Sequence, residues 1–222
     1  MLQVDNITFE YEKKKPILQN ISLEISQGEH VALVGPNGCG KTTLIKIICD
    51  LLEIQGGTVC FNKLSHRSLE VKKEIVYLPS NDDLPEFLTG REFIKFVSGL
   101  YDKYDYTNKD IENYARYYSM ENHLDRLIED YSHGMKKKIQ LIYAFIVSPK
   151  LLIIDETLNG IDIEAKEITK LFFERYTNNG GIIFHSSHDL ALISEISQRA
   201  LLMYRGKIYK DLIMSDINVV DD

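Results

Sequence analysis

Gly35, Gly40, Lys41 and Thr42 stand in the order G-x-x-x-x-G-K-T, directly after the apolar run HVALV (30–34) and opening a helical segment, 41–52. A loop of this kind curls so that successive main-chain N–H groups converge on an anion, because glycine tolerates the backbone angles required. The following helix adds the positive end of its dipole. The spacing therefore predicts a phosphate cradle made of Gly35, Asn37, Gly38, Cys39, Gly40, Lys41, Thr42 and Thr43. Within it Lys41 would reach the β- and γ-phosphates of a nucleotide, and the Thr42 hydroxyl would ligate Mg²⁺. A glycine-rich turn without chemical use is the plainer alternative, and the strand–helix context argues against it.

A second group of residues fits the same chemistry. LLIIDE (151–156) ends four consecutive apolar residues in Asp155 and Glu156. Two carboxylates at the end of a buried strand are costly unless a cation or hydrogen bonds offset them. Asp155 is expected to hold Mg²⁺ through water, and Glu156 to act as general base toward an attacking water. An N-cap at a strand–helix junction accounts less well for two adjacent acids. The guanine-reading pattern N-K-x-D is absent, since NKLS (62–65) and NKDI (108–111) both fail it. EDYSHGMKKKIQ (129–140) is ambiguous by itself. It is either a serine-capped helix with a solvated basic face or a helix start shaped to hold an anion.

The elements that must position these residues follow an alternating pattern. β-like runs occur at 21–25, 30–34, 57–61, 74–78, 151–155, 181–186 and 200–204, and helical segments at 41–52, about 163–177 and about 189–197. Apolar runs without alternation, such as 151–154, suit central strands covered on both faces. The alternation predicts an α/β sheet domain. Residues 80–148 contain no convincing strand. TGRE (89–92) is a capping-box pattern opening a helix over 90–99, and Thr107 with Asp110 opens another near 108–119. This middle part is expected to be a helical insertion. With 222 residues, 44% hydrophobic and 27% charged, the chain can bury a substantial core. Its net charge of −7 speaks against nucleic acid as a partner. Cys39, Cys49 and Cys60 form no C-x-x-C pair, so reduced thiols are expected. The longest apolar run, Leu141 to Val147, is far too short to cross a bilayer, and MLQVDNITFEYE does not read as a secretory signal. The expected location is the cytoplasm.

In this order the pieces resemble the ATP-binding subunit of an ABC transporter across nearly the whole chain. YSHGM (131–135) stands where that family carries a signature loop usually written L-S-G-G-Q. Ser132 and Gly134 match, while Tyr131, His133 and Met135 depart. The resemblance implies that this loop binds the γ-phosphate of ATP held by a second subunit, with the lysines after it on or near an exposed face. SSHDL (186–190) resembles the family's switch segment, in which His188 contacts the γ-phosphate and steadies Glu156; His185 is expected to point back into the sheet. NGID (159–162) resembles the segment that crosses to the partner, and Asp162 could equally be an N-cap. Tyr11 is either the aromatic on which adenine stacks or an edge-strand tyrosine. The resemblance also implies the fold: α/β, a P-loop NTPase of ABC ATPase type. Its mixed-sheet core carries an antiparallel N-terminal β-subdomain (1–79 and 149–222), with a helical subdomain inserted at 80–148.

Two positions depart from the family pattern. Ser80 stands where a glutamine usually touches Mg²⁺ and the lytic water, and a hydroxyl there would reach the metal only through water. Thr157 replaces the usual proline after the catalytic glutamate. Neither removes a charge needed for hydrolysis. LPEFLTGREFIKFVSGLY, apolar at Phe93, Ile94, Phe96, Val97 and Leu100, and the stretch from Tyr131 to Glu156 look like those of bacterial drug, antibiotic or bacteriocin exporters. The expectation is an ATPase subunit, using ATP and Mg²⁺, that pairs with a second copy and powers a membrane permease from the inner face of the cell membrane. A soluble ATPase of the same fold, or an ATP sensor with little turnover, are the alternatives.

Overall fold

The computed structural model describes residues 1–158, 160–188 and 190–217. Strands β1 (Leu2–Glu12) and β2 (Lys15–Ile25) form an antiparallel hairpin. β3 (His30–Val34) runs through loop 35–40 into α1 (Lys41–Ile48). β4 (Gly56–Phe61) and β5 (Leu64–Ser65) complete a four-stranded antiparallel sheet of order β2-β1-β4-β5. After the short α2 (Leu69–Lys72) and β6 (Ile75–Leu78) the chain leaves the sheets. It forms α3 (Gly90–Leu100), α4 (Asn108–Tyr117) and α5 (His133–Val147). It then returns with β7 (Leu151–Asp155), α6 (Ile163–Asn178), β8 (Ile182–Ser187) and α7 (Leu190–Ile196). β9 (Arg199–Tyr204), β10 (Lys207–Ile213) and α8 (Met214–Ile217) end the described chain.

The second sheet has the order β10-β9-β3-β8-β7-β6 and is parallel except for its edge strand β10. β3, β7 and β8 are buried along their whole length; apolar runs without alternation account for this in β3 and β7, while β8 buries His185, Ser186 and Ser187 after Ile182, Ile183 and Phe184. One core lies where α1 and the antiparallel sheet meet β3 and β7, around Leu44, Ile48 and Phe61. Another joins α3, α4 and α5 to β6, β7 and α6, around Ile94, Tyr118 and Leu141. Both capping boxes form: Thr89 Oγ1 accepts from Glu92 N at 3.2 Å while the Glu92 carboxylate accepts from Thr89 N at 2.9 Å. Thr107 and Asp110 repeat the arrangement.

Several element boundaries differ from the sequence reading, each for a physical reason. β1 alternates out of phase along its length: Leu2 and Val4 are buried, then Ile7 and Phe9. Asn6 at φ +50 and Asn20 opposite at φ +52 produce bulges that reset the register, so no single period marks the strand. β10 has mostly exposed side chains and therefore no core-facing pattern. Its hairpin turn carries Arg205 at φ +46 and Gly206 at φ +76. α1 stops four residues before 52, because Asp50 takes φ +55 and ion-pairs with Lys72 at 2.7 Å. α3 buries Phe93 and Ile94 but leaves Phe96 and Leu100 exposed, so its apolar face is only partly core.

His185 does point into the sheet. Its Nδ1 lies 2.9 Å from His30 Nε2, both rings are buried, and His30 stands edge-on to Phe173. Burial pushes the His185 imidazole down to about 4 and that of His30 well below its ordinary value, with the neighbouring imidazole adding to the shift of His30. The pair is thus neutral in the folded chain at pH values where an unfolded histidine, with a pKa of about 6.5, is charged. The unfolded state binds more protons below that pH, so stability falls as pH is lowered from about 6.5 to 5, by about 1.4 kcal/mol per pH unit for each fully affected histidine. In urea unfolding across that window, His185→Gln is expected to flatten the slope by up to one proton. An unchanged slope would mean that His185 is not held neutral.

Candidate active site

The loop 35–40 is shaped by its glycines and by its neighbour in the sheet. A Cβ on Gly35 would lie 2.3 Å from the Met203 carbonyl oxygen on β9, so any side chain there displaces a central strand. Gly40 caps α1 at φ +112, in the left-handed region, and contributes no side-chain cap. The first turn of α1 has no acidic residue either. The amide groups at the start of this helix are therefore available to an anion, with the dipole favouring it.

Asn37, Gly38, Gly40, Lys41, Thr42 and Thr43 line one open cleft together with Tyr11, Ser80 and Glu156. Lys41 is buried and folded back over the loop, donating to the carbonyls of Gly35 at 2.8 Å and Pro36 at 3.3 Å. Its ammonium also stands 3.9 Å from Glu156 Oε1. His188 Nδ1 approaches the same carboxylate oxygen at 3.5 Å. A cation and a carboxylate thus share the cleft, and an imidazole stands beside the carboxylate. Glu156 adopts φ +54, a conformation costing a non-glycine residue about 1–3 kcal/mol and typical of functional positions. Tyr11 stands at the rim, 61% exposed, its hydroxyl 3.4 Å from Thr43 Oγ1 and its ring edge-on to Phe9. Ile17, which the sequence does not single out, completes the wall. Its signal is only that of an apolar residue in the strand paired with Tyr11's own.

Two residues of the expected cradle face elsewhere. The Gly35 side of the loop is packed on β9, and the Cys39 side chain is buried in the core. Neither lines the cleft, and the Cys39 N–H donates to the Pro36 carbonyl at 3.3 Å. Asp155 is fully buried at the end of β7, where Oδ1 accepts from Ser186 Oγ at 2.5 Å. Its other oxygen, Oδ2, is buried without a partner. An orphaned carboxylate oxygen beside the cleft fits a hard cation, directly or through water, and Thr42 presents an exposed hydroxyl in the cleft. Ser80 lines the cleft as well, while its carbonyl is held from below by Lys137.

Ser132 and Gly134 do not line this cleft. Ser132 caps α5, its Oγ accepting from Met135 N at 3.3 Å. Gly134 has a place for a Cβ only 3.2 Å from the Gly160 carbonyl. The loop and the segment from Gly160 to Asp162 therefore pack against each other. Asp162 caps α6 by accepting from Ala165 N at 2.8 Å and pairs with Lys138 at 2.6 Å; that hydrogen-bonded pair holds its carboxyl below the usual range. Asn159 and Asp189, from the two segments singled out in the sequence, lie outside the described residues.

The expectation of an exposed lysine face on α5 is overturned. Lys137 is 1% exposed, and the side chains of Lys136 and Lys138 are 14% exposed in pairs with Glu86 and Asp162. Each of the three has a fixed acceptor in the loops that flank the helix, and this is what draws them inward. Thr157 likewise has a role that proline could not fill. Its hydroxyl donates to the carbonyls of Leu78 at 3.0 Å and Pro79 at 2.9 Å, joining the ends of β7 and β6.

A family model described as "ABC transporter" matches residues 18–159. The SkfA peptide export ATP-binding protein SkfE of Bacillus subtilis (strain 168) is 30% identical over 96% of this chain and 89% of its own length. A relative from Onion yellows phytoplasma (strain OY-M) is 31% identical over 94% of this chain, which spans only 36% of that protein. A solved structure of an ATP binding subunit of an ABC transporter superposes with a TM-score of 0.89 at 26% identity, covering 99% of this chain and 92% of that one. A match over more than half of its length, and a relative of 30% identity covered nearly end to end, show that the chain belongs to the ABC transporter family and has the P-loop NTPase fold of the ABC ATPase type.

Proposed function

We propose that this chain is the ATP-binding and ATP-hydrolysing subunit of a transporter, closing on a second copy around two nucleotides and driving a separate membrane permease. The observation that carries the reading is the approach of Lys41 at 3.9 Å and His188 at 3.5 Å to the Glu156 carboxylate, at a cleft edged by the uncapped start of α1. Lys41 would exchange its two loop carbonyls for β- and γ-phosphate oxygens, which are stronger acceptors for an ammonium. The amides of residues 37–43 would hold the remaining phosphate charge, and Tyr11 would offer its ring at the rim for adenine. Glu156 is the group available to take a proton from water in line with the γ-phosphate, and His188 would orient it. Thr42 and Asp155, with Ser80 through water, would hold Mg²⁺, which when bound supplies charge neutralisation at the phosphates.

Ser132 and Gly134 lie outside the cleft of their own chain, which supports the idea that they serve a neighbour's nucleotide. Each chain would then hold two half-sites, and the γ-phosphate would bridge the pair. Residues 1–79 and 149–222 act in this reading as one catalytic core with its β-subdomain, and 80–148 as the helical insertion that carries the signature loop. No described helix is long and apolar enough to cross a membrane, so work on a membrane would pass through the permease, from the cytoplasmic side. The relation to a peptide export protein favours export. No nucleic acid is required.

Two substitutions test this. Glu156→Gln should keep ATP affinity, accumulate a dimer on gel filtration with ATP, and lower turnover by roughly 10²–10⁴-fold. Undiminished turnover would remove Glu156 as the base. Lys41→Ala deletes charge-assisted hydrogen bonds and should weaken ATP binding by roughly 10–100-fold, read by titration with a fluorescent nucleotide. Wild-type affinity would contradict the cradle.

A further inference from the structure

The loop that follows β6 is held by one face of α5. His133 Nδ1 lies 2.8 Å from the Asp82 carboxylate, and Gln140 Nε2 donates to the Asn81 carbonyl at 3.4 Å. Between them the Lys137 ammonium donates to the carbonyl of Ser80 and, at 3.4 Å, to that of Pro79. Positions 133, 137 and 140 follow the i, i+4, i+7 spacing of a single helix face. The Pro79 carbonyl is shared, because Thr157 Oγ1 donates to it at 2.9 Å. Thr157 is the residue after Glu156. A continuous chain of contacts therefore runs from α5 through Lys137, Pro79 and Thr157 to the carboxylate in the cleft, with Ser80 attached at its midpoint.

A buried ammonium is a poor way to fasten a helix. Removing an ammonium from water costs several kcal/mol, and an apolar side chain of similar volume is often neutral or stabilising in its place. What the charge supplies here is a set of directed N–H donors reaching two adjacent main-chain carbonyls at the edge of the cleft. Ser80 lines the cleft, and it is placed there only as accurately as its backbone is held.

We propose that Lys137 is a positioning residue for ATP hydrolysis, its ammonium fixing the main chain of Pro79 and Ser80 and, through Thr157, the setting of Glu156. The inference rests on the reading of Glu156 as the base. It places information about the position of α5, whose first turn carries Ser132 and Gly134, directly on the hydrolytic corner of the same chain.

The test uses the full chain with Lys137→Met, which keeps the length of the side chain and removes its donors. Steady-state ATPase activity is normalised to nucleotide-binding sites, and ATP affinity is measured separately with a fluorescent nucleotide. The expected result is a fall of about tenfold in kcat, the size of a modest misplacement of a reacting group, with affinity within about twofold. A loss of affinity with kcat per site unchanged, or no change in either, would overturn the proposal. Thr157→Val, which keeps the shape but loses the donation to Pro79, should lower kcat with the same unchanged affinity. In the double variant, losses that multiply as independent effects would break the chain of contacts, whereas a loss close to the larger single one supports it. Should Lys137→Met fail to fold, Lys137→Leu and Thr157→Val carry the same readouts. Glu156→Gln in the wild-type background separates the two ideas: if it still turns over, the base is wrongly assigned, and if it is inactive while Lys137→Met is fast, only the Lys137 role falls.

Discussion

The architecture depends on one constraint: a helix start whose amide groups are left without protein partners, at the edge of a parallel sheet. A glycine cap leaves these amides unsatisfied by any side chain, whereas a serine or aspartate cap would accept from one of them. α1 instead starts at Gly40, in a left-handed conformation, without a capping side chain or an acid in its first turn. The loop before it can take no other course, because Gly35 lies against the backbone of β9. The sheet fixes the loop, the loop fixes the helix start, and the helix start favours a bound anion.

Charge is arranged around that start with the same economy. Lys41 has carbonyl acceptors and a carboxylate within reach, so its ammonium is not a bare buried cation. Asp155 has one oxygen satisfied by Ser186 and one left over, which makes the end of β7 an incomplete acceptor site. Glu156, next in sequence, turns out of the strand through φ +54 and so points its carboxylate into the cleft while Asp155 stays behind in the sheet. A single backbone reversal gives two adjacent acids two different environments.

Local geometry is legible from residue order alone; what depends on partners distant in the chain is not. The loop before α1 and the acids at 155–156 are legible as strand-end features because their spacing is dictated by a strand followed by a turn. The helices at 90 and 108 are legible because each capping box is completed within four residues. β1 is obscured by two asparagine bulges that depend on pairing with β2. The burial of Lys137 is invisible for the same reason, since its acceptors are carbonyls 57 and 58 positions away. A run of three lysines reads as a solvated face until the loop that receives them is in place. Thr157 is similar: as a departure from a family pattern it suggests only a softer turn, whereas its hydroxyl joins two strand ends.

The helical part bears on the sheet mainly through α5, and this has a mechanical consequence. Along its first two turns α5 engages the loop after β6 through His133, Lys136, Lys137 and Gln140, and the segment before α6 through Lys138. These are directed contacts to main-chain carbonyls and single carboxylates, so they hold α5 at a defined distance from both loops and tolerate little sliding. The same turns carry the serine cap and Gly134. A force applied to that helix start would therefore be felt at residues 79–82 and at Asp162 before it reached the wider core. The connection to the cleft runs through two neighbouring carbonyls and one threonine hydroxyl. The packed face of α5 transmits strain as well, but these polar contacts direct it to two particular carbonyls beside the cleft.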